Sequence, residues 1–440
     1  MAEYAIAEVI ELFDVQEAAP AGVDLEEARA AVRSGDPARV AALQGPFAVV
    51  ATEGRRVFLA RSLDRPLRYF LGKAVAGPFL LVSDRIDAIQ RWLVADGKGD
   101  QFRPEYTRMV PAHYVLTLDL LGCPDPLPTL DRWFAPPRDA LPADLDAIGA
   151  AYVSAAAAEI DAWLDRVPAD EPLGVLFSGG ADSGGVLLLV DHLLRARGQA
   201  PQRLKAFCLD GGGDDVAQAR AFLAAVGREH LLETIPVPAG GVDMDAVLRC
   251  VEDYKALDVE SAAMGWTLLA GIRERYPSWR YLLDGDGGDE NLKDYPVEEN
   301  HELTIRSVLS NSMLYHEGWG AESIKHSLTY SGGYSRGCVR SYAPAREHGF
   351  ELFSPLLQRS VITVSEAIPF VALTDWQLDR LYALKGEVVK RGVAAVTGDD
   401  MPVYPKRRFQ QGALPEQTFD AAGRAAREAD YRARVRLHFA

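Results

Sequence analysis

The sequence predicts an α/β protein: a smaller β-rich region over residues 1–135, followed over 145–440 by a doubly wound parallel sheet with a helical C-terminal part. Three observations predict it. Short apolar runs separated by turn residues fill the first third of the chain. A proline-rich stretch, Pro124 to Pro142, follows. From about Leu145, apolar strands alternate with helical segments and join them through glycine-rich loops. The 440 residues, 48% hydrophobic and 25% charged, suffice for two or three packed domains and exclude disordered, collagenous and disulfide-scaffold classes.

In the first part, Gly45 to Ala51 reads as a strand, Glu53-Gly54 as a turn and Arg56 to Ala60 as the returning partner of a hairpin. Pro78 to Ser83 and His113 to Leu118 are further strands, and Asp87 to Leu93 is a short helix. Proline lacks an N–H and has a fixed φ, so 124–142 reads as a linker. In the second part, Ala150 to Val167 is an alanine-rich helix. Leu173 to Phe177 is a short, wholly apolar strand of the kind buried in parallel sheets. Ser178 to Gly185 is a loop, and Val186 to Arg197 is a helix stopped by Gly198. Leu204 to Leu209 is a strand, Asp215 to Val226 a helix and Arg280 to Leu283 a third strand. The chain from Glu298 onward reads as mostly helical.

Charge narrows the partners. Lys and Arg number 47 against 63 Asp and Glu, a net charge of −16, so no general field holds a nucleic-acid backbone. The four cysteines, Cys123, Cys208, Cys250 and Cys338, form no Cys-x-x-Cys pair and read as core residues of a reducing compartment. Met1 to Ile10 carries Glu3 and Glu8 and no basic segment, unlike a signal peptide. No apolar run approaches the roughly 20 residues that span a bilayer. The expectation is a cytoplasmic protein with neither membrane nor nucleic-acid partner; a homodimer stays open.

The loop after the first buried strand carries the chemistry: Ser178-Gly179-Gly180-Ala181-Asp182-Ser183. It lies at the carboxyl end of a parallel strand, where α/β proteins bind ligands. Glycines admit close approach to backbone N–H groups, the two hydroxyls add donors, and the next helix start favours an anion. No Gly-Lys-Ser/Thr follows, so this is not a Walker loop. A carboxylate in an anion cradle requires a cation beside it, so Asp182 implies Mg²⁺. The loop Asp284-Gly285-Asp286-Gly287-Gly288-Asp289-Glu290 also follows an apolar strand. Its glycines and acids suit an exposed loop. With both strands in one sheet, Asp182 and Asp289 share one or two Mg²⁺ ions. An EF-hand is excluded, because Tyr295 stands where the terminal Glu belongs. Lys406-Arg407-Arg408 is a basic cluster able to close over phosphates.

These pieces resemble the asparagine synthetase and β-lactam synthetase family, whose synthetase domain is an ATP-pyrophosphatase (PP-loop, adenine nucleotide α-hydrolase-like) fold carrying Ser-Gly-Gly-x-Asp-Ser. Asp215 to His230 resembles the family's Ala…Ala…Leu-Gly-x-x-His stretch. Leu283 to Glu290 resembles its Ser-Gly-Glu-Gly-Ser-Asp-Glu loop, Gly349 to Leu357 its Gly-x-Glu-x-Arg-x-Pro-Phe-Leu segment, and Lys406 to Gly412 its Lys-x-x-Phe-x-x-Gly. Order and spacing hold over about 145–415. Thiolation and lysidine enzymes acting on tRNA share the first loop but not the later motifs. A degenerate partner protein that only binds is disfavoured by the intact Asp182, Asp289 and Lys406.

Residues 1–135 resemble a shortened, Ntn-like glutaminase domain, with Arg61 to Tyr69 similar to Arg-Asp-x-x-Gly-x-x-Pro-Leu-Tyr. Two departures matter. Ala2 stands where the family has its cysteine nucleophile, and Ser62 where it has Asp. Glutamine hydrolysis by an N-terminal thiol is therefore not expected. The resemblance implies ATP and Mg²⁺ as cofactors, adenylation of a small-molecule or peptide carboxylate with release of AMP and pyrophosphate, and attack by an amine. An intramolecular cyclase, as in β-lactam synthetases or lasso-peptide cyclases, is the alternative. Leu176, Ser178, Leu209 and Gly285 are implied to line the nucleotide site, and Lys406 to meet phosphate and developing negative charge. Asp286 stands where asparagine synthetases have Glu and β-lactam synthetases Tyr, and is a candidate for amine contact or proton removal. Tyr315 and Glu317 are candidate partners for it. Trp319, Tyr330, Tyr334 and Arg340 are candidate pocket residues.

Overall fold

The computed structural model describes residues 8–119, 127–294, 297–299, 303–313, 338–405, 412–414, 418–420 and 422–439. Ala2, Tyr315, Glu317, Trp319, Tyr330, Tyr334 and Lys406 lie outside the described residues.

The N-terminal part runs β1 (Glu8–Glu11), α1 (Leu25–Arg33), α2 (Pro37–Ala41), β2 (Ala48–Glu53), β3 (Arg56–Arg61), β4 (Arg68–Ala74), β5 (Gly77–Ser83), α3 (Ile86–Ala95), β6 (Arg108–Met109), β7 (Tyr114–Asp119) and β8 (Thr129–Arg132). Two four-stranded sheets form, in the orders β1-β5-β4-β6 and β2-β3-β7-β8. They pack face to face through Val50, Val57, Leu59, Leu116 and Leu118 on one side and Leu80 and Val82 on the other. Alternate residues point the opposite way. Val49, Ala51, Phe58 and Ala60 meet Ala28 and Val32 of α1, while Phe70, Phe79 and Leu81 meet Ile86, Ile89 and Leu93 of α3. Both faces of each sheet are thus covered, which is why these strands read as continuous apolar runs. The 124–142 stretch is more than a linker: β8 pairs antiparallel with β7, with Leu116 opposite Leu130.

The second part runs α4 (Leu145–Leu164), β9 (Leu173–Leu176), α5 (Ala181–Ala196), β10 (Leu204–Asp210), α6 (Asp215–Ala225), β11 (Leu232–Pro236), α7 (Met244–Val251), α8 (Ala256–Arg275), β12 (Tyr281–Leu283), α9 (Gly288–Leu292), α10 (Ile305–Ser310), α11 (Ala343–Glu347), β13 (Glu351–Phe353), α12 (Arg359–Glu366), α13 (Phe370–Thr374), α14 (Leu378–Thr397) and α15 (Arg424–His438). The sheet order is β11-β10-β9-β12-β13, with every pair parallel. The order reverses between β9 and β12, which are neighbours in the register Val175 to Leu283. That switch point opens a crevice at the carboxyl ends of the strands. It brings together the two loops that the sequence singled out. Ile160, Leu187 and Val388 bury one face of the sheet under α4, α5 and α14. Val259, Leu268 and Ile272 of α8 cover the other. Among the described residues no helix is long and apolar enough to cross a membrane.

The two parts are fastened by reciprocal helix capping. Glu252, left-handed (φ 52°) at the end of α7, accepts from the backbone N–H of Ile86 and Asp87 at the start of α3, both at 2.9 Å. Arg85 in turn donates to the last carbonyls of α7, Cys250 at 2.5 Å and Arg249 at 2.8 Å. Each charge thereby meets the helix end of opposite partial charge. Nearer the crevice, Arg65 donates to the Tyr342 hydroxyl.

Candidate active site

β9 ends at Leu176, and the chain turns over Ser178, Gly179 and Gly180 into α5. The helix begins at Ala181, five residues before the start that apolar periodicity predicts. Asp182 and Ser183 therefore occupy its first turn, beside the free N–H groups of a helix start. Gly179 has φ +75°, and a Cβ there would lie 2.9 Å from the Ala219 nitrogen of α6, so only glycine serves. The Ser178 N–H donates to Ser183 Oγ at 3.3 Å, and the Gly180 N–H to Ser178 Oγ at 3.4 Å. The two hydroxyls lie 3.4 Å apart, holding the turn open as a cradle.

The loop after β12 presses directly on this turn. A Cβ on Gly285 would come within 2.6 Å of the Ser183 nitrogen. One on Gly288 would come within 2.2 Å of Asp182 Oδ1. Gly288→Ala is accordingly expected to push Asp182 aside and impair nucleotide binding, read as a weakened ATP-induced rise in Tm; an unchanged rise would contradict the contact.

Contrary to the sequence expectation, this loop is not exposed. Asp284 and Glu290 are each only 4% accessible. Buried carboxylates need partners, and Lys385, Arg340, Ser341 and Ser354 supply them. Lys385 of α14, 7% accessible, places its ammonium between Asp182 and Asp289, 3.5 Å from Asp294. Burial opposes that charge, but the three carboxylates hold its pKa well above the ordinary lysine value. Arg340 pairs with Glu290 at 3.1 Å. The Ser341 hydroxyl lies 2.6 Å from Asp284 Oδ2 and 2.5 Å from Asp286 Oδ2. Burial, and then the neighbouring Asp286, push the Asp284 carboxyl up to about 7. Burial also raises Asp286, against the pull of Arg340.

Arg340 and Ser341 belong to a π-helical turn, Cys338–Tyr342, packed on α8. Such turns occur mostly as single-turn bulges and are frequent at functional sites. Gly265 of α8 makes the approach possible: a Cβ there would meet the Arg340 carbonyl oxygen at 2.4 Å. Gly265→Ala is expected to displace Ser341 from the two aspartates and to destabilise by about 1–3 kcal/mol, the range for overpacking. Denaturant unfolding checks this, and a loss under 0.5 kcal/mol would contradict it.

The fold brings Ser178, Gly179, Gly180, Asp182, Ser183, Gly285, Asp286 and Asp289 to one edge. Leu176, half-buried, ends the strand below them. Leu209, 2% accessible, is paired with Ile235 in the sheet, and its side chain packs in the core on the α8 face. Lys385 was missed, although α14 carries a signal for it: lysine interrupts the buried stripe Leu381, Leu384, Val388, Val389. Ser341 carries no such signal.

The cradle position of Asp182 leads to the expectation of Mg²⁺; the group beside it in the structure is the Lys385 ammonium. Among the described residues no group of three His, Cys, Asp or Glu could hold a metal ion by itself. Asp182 and Asp289 nevertheless converge on a single point, Lys385 Nζ. Two hard carboxylates completed by phosphate oxygens are a donor set that suits Mg²⁺.

Comparison with known proteins agrees with this geometry. Residues 160–336 match the model of the asparagine synthase family. The chain is 28% identical over 150 residues to a probable glutamine-hydrolysing asparagine synthetase of Acanthamoeba polyphaga mimivirus, covering 32% of this chain and 26% of that protein. It is 27% identical over 158 residues to the root enzyme of Pisum sativum, covering 33% and 27%. A second asparagine synthetase of Lotus japonicus is 25% identical over 246 residues, covering 54% of this chain and 38% of its own. The chain spans about a quarter of the length of the first two. On these matches, residues 160–336, which hold the crevice between β9 and β12, are similar to the asparagine synthase family and its PP-loop α/β fold.

Proposed function

We propose that the chain is an ATP-dependent amide ligase that adenylates a small-molecule or peptide carboxylate, releases pyrophosphate and joins the acyl group to an amine without hydrolysing glutamine, in natural-product biosynthesis. The observation that carries this reading is the interlock of the two loops, with Lys385 between Asp182 and Asp289. The Gly179–Ser183 turn offers backbone N–H groups and two hydroxyls to phosphate oxygens. Lys385 presents an ammonium to the same charge and keeps Asp294 as its partner where Mg²⁺ takes its place between Asp182 and Asp289. Mg²⁺, held by Asp182 and Asp289, would neutralise triphosphate charge and the leaving pyrophosphate. Leu176 and Gly285 border the nucleotide, and Lys406 would close over the phosphates. Asp286, less deeply buried than Asp284, is the proposed acceptor of a proton from the attacking amine. The N-terminal sheets support this site through Arg65 on Tyr342, next to Ser341.

With ATP, Mg²⁺, an acceptor amine and a panel of carboxylates beginning with aspartate, the expected products are AMP and pyrophosphate in equal amounts, formed only with the correct carboxylate. ADP and phosphate would overturn the reading. Glutamine added alone is expected to yield no glutamate.

A further inference from the structure

The two aspartates of the second loop differ in setting although they share a partner. Asp284 is 4% accessible, at the buried end of β12, with its N–H on the Phe353 carbonyl of β13. Asp286 is less deeply buried, and its N–H donates to Asp284 Oδ1 at 3.2 Å. Between them stands Ser341 Oγ, within 2.6 Å of one carboxyl and 2.5 Å of the other.

A hydroxyl has one proton and donates it to one acceptor. The second short oxygen–oxygen contact is a hydrogen bond only if that carboxyl itself carries a proton and donates to Oγ. Two ionised carboxylates about one hydroxyl in a buried site would repel, as in other carboxylate pairs. We infer that Asp284 is a positioning residue that holds one proton shared with Asp286 through the Ser341 hydroxyl, leaving Asp286 as the single ionised base of the pair that meets the amine. This rests on the ligase reading above for the amine, but not for the proton.

The surroundings decide which carboxyl keeps the proton. Asp284 faces Asp286 and the hydroxyls of Ser341 and Ser354, with no cation among its principal neighbours. Asp286 faces the Arg340 cation, with Glu290 and Asp289 as the opposing charges. Arg340 therefore stabilises ionised Asp286, while burial keeps Asp284 neutral. When the amine attacks the activated carbonyl carbon, the C–N bond forms, AMP leaves with the C–O electron pair, and the amine proton passes to Asp286. Both carboxyls then carry protons, and Oγ has two lone pairs to accept them.

The test needs no substrate. Infrared spectra of the whole chain from pH 5 to 9 are expected to show a protonated-carboxyl C=O band that disappears through about pH 7. Asp284→Asn removes it. Asp286→Asn keeps the band but moves its midpoint to lower pH, because the repelling carboxylate is gone. A band unaltered in Asp284→Asn, or an unmoved midpoint in Asp286→Asn, would overturn the shared proton. Stability gives a second readout. Native Asp284 binds its proton more tightly than the unfolded chain, so wild-type stability falls relative to Asp284→Asn as pH rises from about 4 to about 7. A pH-independent difference between the two would also overturn it. Asp284→Ser serves the same comparisons if Asp284→Asn does not fold. Calorimetry of Mg-ATP binding to the wild type is the separate arm: binding supports the amine-directed role, whereas its absence removes that role together with the ligase reading and leaves the infrared outcome to decide the proton.

Discussion

Lys385→Met is expected to lower Tm by on the order of 10 °C, the largest stability loss of any single change at this site. The ammonium is buried among Asp182, Asp289 and Asp294. Removing one partner of a buried ion cluster costs roughly 3–5 kcal/mol, because the remaining charges are left uncompensated. Each kcal/mol is worth about 2–4 °C for a domain of this size. The loss should shrink in acid, where the three carboxylates take up protons. It should also shrink when Mg²⁺ is added, since a divalent ion can neutralise Asp182 and Asp289 in place of the lysine. In the wild type the sign is opposite. A lysine pKa raised by folding contributes stability that is fully present below the unfolded value of about 10.4, and that is lost only as pH rises through the higher folded value. Thermal scans of both proteins, with and without Mg²⁺, measure this. A Tm change under 2 °C would show that Lys385 does not neutralise the cluster.

Asp182→Asn is expected to cut pyrophosphate formation at least about 100-fold, comparable to losing a principal transition-state charge contact. The substitution keeps the volume that Gly288 accommodates and removes only the charge. Folding should survive, because Lys385 retains Asp289 and Asp294. Turnover should therefore fall while Tm changes little, and the Mg²⁺ concentration needed for half-maximal rate should rise. Steady-state release of AMP and pyrophosphate across a Mg²⁺ series checks both. A rate within tenfold of the wild type would remove Asp182 from the phosphate site.

Much of the fold is legible because it is local. Leu173 to Phe177 is continuously apolar and followed by glycine, so strand, turn and helix can be read in order. β1, α1, α2, β4, β6, β8, β11, α7, α8, α9 and β13 are not delimited by the sequence pattern, for different reasons. α8 is buried on nearly all sides, with Val259, Ala262, Met264, Leu268 and Ile272 spread around it, so no polar face marks its period. β13 is three residues long and is defined by its parallel pairing with β12, a contact between segments far apart in sequence. The start of α5 was placed too late because Gly184 and Gly185 read as loop. In the structure Gly184 lies against Phe222 and Gly185 near Val389, so these glycines serve close helix packing.

By itself, the sequence determined the two glycine-rich loops, their places after buried strands and the acids within them, because these depend on neighbours a few residues apart. It also determined the apolar faces on which the sheets pack. Only the tertiary structure decided how those acids are neutralised. Lys385, Arg340 and Ser341 arrive from distant helices and turns, and a side chain's protonation depends on what surrounds it in space. Burial turned a loop that reads as solvent-exposed into a paired, proton-sharing site, because charges removed from water must find their counter-charges within the fold.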